Sequence, residues 1–168
     1  MEGIDAGARK SIEGQRIQDA TIIQMLWCQP DLGPAFRDDA AAIVGFAQDP
    51  DADRLAIIDE NGRYIGEEYT LVLAGLRMMQ RRGGGPIAAN LSTSRMIDDV
   101  CAGFEGASVV RTAVGEANVV QGIRSSGGAI GGEGNGGVII PEVCFIRDSL
   151  SAMALVLELL AKAVKVVR

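Results

Sequence analysis

From Glu67 onward, stretches with helical spacing alternate with apolar runs of strand length, and that alternation is the strongest constraint on the fold. Glu67 to Arg82 places Leu71, Ala74, Leu76 and Met78 in a helical pattern that stops at Gly83-Gly84-Gly85-Pro86. Ile87 to Leu91 reads as a strand, and Ser92-Thr93-Ser94 offers N-caps for a helix through Met96, Ile97, Val100 and Cys101. Ser108 to Arg111 is a strand, Glu116 to Ile123 a helix, Val138 to Ile140 a strand, and Ser149 to Val167 a long closing helix. Strands alternating with helices predict an α/β fold with a mixed, largely parallel sheet flanked by helices. Gly66 marks a boundary between an N-terminal piece, residues 1–66, and this second unit, residues 67–168.

The N-terminal piece carries the densest charge pattern. Residues 1–20 are polar and weakly patterned, Thr21 to Trp27 reads as a strand, and Cys28 to Pro34 is a turn-rich loop. Asp38 to Ala42 suits a short helical turn. Two short buried strands follow, Ala42 to Ala47 and Leu55 to Ile58. Between them runs Asp49-Pro50-Asp51-Ala52-Asp53-Arg54, with three carboxylates at alternate positions. Like charges that close need compensation, and a hard cation such as Mg²⁺ or Ca²⁺ supplies it through oxygen ligands. A solvated acidic turn is the competing reading. An EF-hand fits less well, although Glu60 stands twelfth from Asp49. Its sixth position, which needs glycine for the sharp turn, is Arg54, and its flanks have strand periods instead of helical ones. Asp59-Glu60-Asn61-Gly62 adds a hairpin turn signal.

Composition excludes several classes. With 48% hydrophobic residues the chain is globular. A net charge of −6 with no basic stripe argues against nucleic acid. The absence of histidine removes His-based triads and His-ligated zinc. Cys28, Cys101 and Cys144 are odd in number and widely spaced, as expected of buried thiols in a reducing, cytoplasmic compartment. The first residues lack a signal-peptide pattern, and the apolar C-terminal helix carries Glu158, Lys162 and Lys165, so no membrane span is expected.

Residues 127–137 hold seven glycines in eleven positions. Gly132 to Gly137 satisfies G-x-G-x-x-G, but a dinucleotide fingerprint must open a helix, and Val138-Ile139-Ile140-Pro141 reads as a strand. The remaining reading is a loop, entered at Ala129-Ile130, that lets backbone approach a ligand and presents Glu133 and Asn135. A carboxylate beside an amide suits vicinal hydroxyls; the alternative is a flexible hairpin. Arg111-Thr112-Ala113-Val114-Gly115-Glu116 lies at a strand-to-helix junction, where amide donors favour anionic or polar ligands.

These segments together resemble the α-D-phosphohexomutase superfamily of phosphoglucomutases, phosphomannomutases and phosphoglucosamine mutases. D-P-D-A-D-R at 49–54 resembles its Mg²⁺ loop, T-A-V-G at 112–115 its T-x-V-G segment, and G-G-E-G-N-G-G at 131–137 its sugar-specificity loop. The D-E-N-G hairpin and A-N-L-S-T-S-R at 89–95 fall in the same order, so the resemblance covers about residues 20–160. It implies Asp49, Asp51 and Asp53 as Mg²⁺ ligands and Arg54 near a phosphoserine. Glu133, Asn135, Thr112 and Gly115 would form the substrate side, facing a hexose phosphate. The implied reaction is phosphoryl transfer to the sugar and back, driven by positioning and charge neutralisation.

The chain also departs from that pattern. Asn135-Gly136-Gly137 stands where S-G-H is frequent, and Glu116 where many members have histidine. These differences look more like the phosphoglucosamine mutase or phosphoglucomutase branches. The phosphoserine loop, T-A-S-H-N-P, and the phosphate-clamping loop, R-x-S-G-T-E-P, do not occur. Residues 1–66 thus resemble part of a second domain carrying the metal loop, and residues 67–168 a third domain carrying the sugar loop. The expectation is a fragment inactive alone, its other domains present in cis in a full protein, or else self-associating. The alternatives are a non-catalytic module that binds Mg²⁺ or a sugar phosphate, and a calcium-binding regulator.

Overall fold

The computed structural model describes residues 43–166, with side chains to residue 163. The strand expected at 21–27, the helical turn at 38–42 and Cys28 lie outside the described residues. Among those described, β1 (Val44–Gln48) and β2 (Leu55–Asp59) form an antiparallel pair in which Gln48 faces Leu55 and Val44 faces Asp59. The acidic run is the turn of this pair. Strands on both sides remove the EF-hand reading, which needs helices there. Past Asp59 the chain turns back as its Asn-Gly signal predicts. Gly62 N–H donates to Asp59 O at 2.9 Å, and Tyr64 bridges Ile58.

The second unit runs α1 (Glu68–Arg82), β3 (Pro86–Asn90), α2 (Met96–Ala102), β4 (Ser108–Thr112), α3 (Glu116–Ser126), β5 (Ile130–Gly132), β6 (Val138–Ile139) and α4 (Ser149–Val166). Its sheet has the order β4-β3-β5-β6, with β4, β3 and β5 parallel and β6 antiparallel at the edge. The predicted mixed, largely parallel sheet with flanking helices is therefore present. Ile87, Ala88 and Ala89 of β3 are fully buried, as a parallel strand covered on both faces requires.

Two local readings change. Ile130-Gly131-Gly132 is not loop but strand, paired to Ile87-Ala88-Ala89. Glycine serves there because a Cβ on Gly132 would lie 2.3 Å from Gly137 O, and one on Gly131 2.8 Å from Ala88 O. The cap position of α2 falls on Arg95, which makes no side-chain bond, and the expected serine help is limited to Ser94 Oγ, which accepts Met96 N–H at 3.4 Å. Ser94 N–H is given to the Glu68 carboxylate, and Asn90 Oδ1 gathers Thr93 N–H, Thr93 Oγ1 and Ser92 Oγ. Side-chain acceptors from α1 and β3 thus hold the segment before α2, while the amides of Asp98 and Asp99 bond to Arg95 O.

One core joins the hairpin to the second unit. Leu55 and Ile57 of β2 pack with Leu71, Met78, Ile87, Ile97, Ile130, Val138 and Val156. Fully burying a side chain of this size contributes about 1.5–3 kcal/mol relative to exposure, so the shared core firmly sets the hairpin's position against the sheet. Ala88, Val119, Ile123 and Ile139 form a smaller cluster under α3. Among the described residues no helix is long and apolar enough to cross a membrane.

Candidate functional site

The acidic turn and the glycine loop meet. Leu55 N–H donates to Gly136 O at 3.1 Å, and Arg54 pairs with Gly137 in an antiparallel bridge. That contact follows from burial of β2 beside β6, so Leu55 and Gly136, far apart in sequence, become neighbours.

Within the acidic turn, Asp49, Asp51 and Asp53 each offer a carboxylate oxygen, all within 4.8 Å of one another. They differ in surroundings. Asp49 is buried; its Oδ1 accepts Asp53 N–H at 3.1 Å and Arg54 N–H at 3.0 Å, and its Oδ2 accepts Arg54 Nε at 2.7 Å. Burial raises its pKa, but the Arg54 amide and guanidinium outweigh that and hold it below the usual carboxylate range. Asp53 goes the other way: burial first, then the Asp49 carboxylate beside it, push it up to about 6, against the pull of Arg147. Its Oδ1 is buried with no hydrogen-bond partner among the described residues. Asp51 is exposed. Arg54 Nε lies 3.6 Å from that oxygen, an ion-pair contact without a hydrogen bond, so three oxygen donors with room on Asp53 Oδ1 fit a hard divalent cation.

The turn is held in place from outside. Ala52 adopts φ 57°, its carbonyl accepts Ser149 Oγ at 2.5 Å, and Ser149 Oγ in turn accepts Gln48 Nε2 at 2.6 Å. Ser149 opens α4, so the acidic turn rests on the start of the closing helix.

Glu133 is buried at the end of β5, and its Oε1 accepts Asn90 Nδ2 at 2.7 Å and Gly115 N–H at 3.1 Å. Gly115 and Glu133, both expected on the substrate side, are thus in contact, and the Gly115 amide is engaged within the protein. Thr112 sits opposite Asn90 at the end of β4, its Oγ1 bonded to Ala113 O. Asn135 Oδ1 accepts Gly137 N–H at 3.2 Å, shaping the loop.

Sequence reading missed Arg147. Its Nη2 lies 2.5 Å from Asp53 Oδ2, its Nε 3.0 Å from Glu116 Oε2 and its Nη1 3.4 Å from Glu133 Oε2. No local pattern marks it, because its three partners come from three separate elements. Asn90 was missed for the same reason. Nearby, Tyr64, Ile65, Gly66, Glu67, Glu68 and Gly134 line an open cleft of about 390 Å³. Burial raises the Glu67 pKa there. Two carboxylates in its wall favour a ligand's hydroxyl face over a phosphate.

Comparison with known proteins gives this arrangement its family. The model of the phosphoglucomutase/phosphomannomutase α/β/α domain III matches residues 66–167, more than half of the chain. The chain belongs to that family. A phosphoglucomutase/phosphomannomutase of Thermococcus kodakarensis is 42% identical over 121 residues, which are 72% of this chain and 26% of that protein. A Pyrococcus abyssi "probable phosphoglucosamine mutase" is 37% identical over 119 residues, 71% of this chain and 26% of the relative. This member of the mutase family therefore spans about a quarter of the length of such relatives. A phosphoglucomutase/phosphomannomutase family protein of Burkholderia thailandensis superposes with TM-score 0.62 at 26% identity, covering 76% of this chain and 28% of that structure. The phosphoglucomutase parafusin of Paramecium, at 21% identity and TM-score 0.64 over 80% of this chain and 24% of its own, shares the fold.

Proposed function

We propose that this chain is the metal loop and sugar-binding domain of a phosphohexomutase, a phosphoryl-transfer isomerase of hexose phosphates. We assign it to the phosphoglucosamine mutase or phosphoglucomutase type. The observation that carries the reading is the junction of the acidic turn with the glycine loop, through Leu55, Gly136 and Arg147. It supports the reading because it brings the acidic turn close to Glu133 and Asn135, as transfer of a phosphoryl group to a sugar hydroxyl would require.

In this reading Asp49, Asp51 and Asp53 hold Mg²⁺, which draws charge from the transferring phosphoryl group when bound. Arg54 anchors Asp49 and faces the donor phosphate. Glu133 and Asn135 orient the sugar through its hydroxyls, Glu133 being fixed by Asn90 and Gly115. Thr112 and Gly115 shape the strand end beside them. The two guanidinium groups, Arg54 and Arg147, balance only part of the charge on Asp49, Asp51, Asp53, Glu116 and Glu133. A divalent cation offsets much of the remainder.

The phosphate donor and the clamp for the substrate's own phosphate come from parts of the mutase other than this chain, so the chain alone binds without turnover. Cys101 is buried as expected while Cys144 is only half-buried, and both free thiols suit a reducing, cytoplasmic compartment. Calorimetric titration with Mg²⁺ tests the reading. Saturable binding by the chain, abolished in Asp51→Asn/Asp53→Asn, is the expected result. An absence of heat refutes the metal loop, and conversion of glucose 1-phosphate to glucose 6-phosphate by the chain alone refutes its dependence on other domains.

A further inference from the structure

We propose that Arg147 is a positioning residue that couples the metal loop to the sugar loop, holding Asp53 and Glu133 with one guanidinium. Each of its three nitrogens serves a different acid from a different element: Nη2 on Asp53 in the β1–β2 turn, Nε on Glu116 at the start of α3, Nη1 on Glu133 after β5. Only a planar fork can do this; an ammonium is a point charge that serves one acid well. An ordinary surface ion pair holds one partner loosely in water. Here the Arg147 side chain is 21% exposed and the Glu133 side chain 7%, so the pairing is largely shielded.

The path of the side chain is built into the loop. A Cβ on Gly137 would lie 2.3 Å from Arg147 Cδ and 3.2 Å from its Cγ, so the stem crosses directly over the glycine and would have to shift for any other residue. Positions 116 and 137, two of those at which the chain departs from the commoner family pattern, both contact Arg147, Glu116 as an ion-pair partner and Gly137 as open space. A change at Asp53 therefore reaches Glu133 through the guanidinium, and reaches Gly115 N–H, which donates to Glu133 Oε1. The part this coupling plays in a mutase rests on the proposed function; the coupling itself does not.

The test uses the metal-free chain and the amide resonance of Gly115. Asp53→Asn is expected to shift that resonance when Arg147 is present, and the response is expected to vanish in the Arg147→Met background. Arg147→Lys, which keeps the charge and loses the fork, is expected to lose the response as well, and it decides the matter if Arg147→Met does not fold. A Gly115 resonance that ignores Asp53→Asn in the presence of Arg147, or that responds equally in both variants, overturns the proposal. Mg²⁺ calorimetry on the same samples separates the two readings. A coupled chain that binds no Mg²⁺ upholds Arg147 and removes the metal loop; a chain that binds Mg²⁺ with an unresponsive Gly115 does the reverse.

Discussion

Gly137 lies under the stem of Arg147 so closely that a Cβ there would come within 2.3 Å of Arg147 Cδ. The glycine loop thus has a structural reason for this glycine besides any ligand approach. Gly137→Ala must move Arg147 or the loop, and overpacking of this kind costs about 1–3 kcal/mol. Urea unfolding of Gly137→Ala is expected to show that loss. In the Arg147→Ala background, where the obstructing stem is gone, the same substitution is expected to cost much less. Equal losses in both backgrounds would place the strain elsewhere.

Asp53 makes the site sensitive to pH. Its folded-state pKa of about 6 lies above its ordinary 3.8, so the folded chain holds this proton more tightly than the unfolded chain. The stability it contributes is complete below about pH 4 and is lost as pH rises through about 6. Asp49, whose pKa is lowered, acts in the opposite sense, and its contribution fades in acid. Comparing Asp53→Asn with the unaltered chain isolates the first effect. With metal chelated, the variant is expected to gain stability relative to the unaltered chain between pH 4.5 and 7.5. Mg²⁺ competes with the same proton, so affinity is expected to rise by up to about tenfold per pH unit below 6 and to level off above it.

Ala52 takes φ 57° in the middle of the acidic turn. A left-handed backbone costs a non-glycine residue roughly 1–2 kcal/mol, part of which glycine gives back through its freer unfolded chain. Ala52→Gly is therefore expected to stabilise the chain by about 0.5–1 kcal/mol and to leave Mg²⁺ affinity within a few-fold. Thermal unfolding measures the first, calorimetry the second. A destabilised variant would show that the Ala52 methyl makes a contact outweighing the backbone strain.

Asn90 is 2% exposed and donates its Nδ2 to Glu133 Oε1. Asn90→Asp sets two acceptors face to face, at a cost of about 1–3 kcal/mol near neutral pH. A shared proton relieves that cost, so the loss is expected to shrink toward pH 5 and to grow as pH rises. Unfolding curves at the two pH values check the sign. Thr93 and Ser92 still find their acceptor in the variant, so a pH-independent loss would mean that repulsion from Glu133 is not its cause.

The periodicities, the hairpin signal at Asn61-Gly62 and the acidic run at 49–53 are local properties, and the chain itself settled them. Helical and strand spacing report which face of an element is buried, and turn residues report where it must end. That was enough to place β1, β2, α1, β3, α2, β4, α3, β6 and α4 to within a few residues, and to mark Asp49, Asp51, Asp53 and Glu133 as candidates. It failed where a residue's partner is distant. Ile130 to Gly132 looked like loop because glycine lowers strand propensity, yet close packing against Ala88 and Gly137 leaves no room for a Cβ. Ser94 reaches only the Met96 amide of α2, and the clamp of its own amide by Glu68, from another helix, has no local signal. The unequal protonation of Asp49 and Asp53, the engagement of Glu133 by Asn90 and Gly115, and the triple pairing of Arg147 arise only when the hairpin docks on the sheet. Desolvation and charge proximity are three-dimensional quantities, and residues far apart in sequence acquire them by sharing a core.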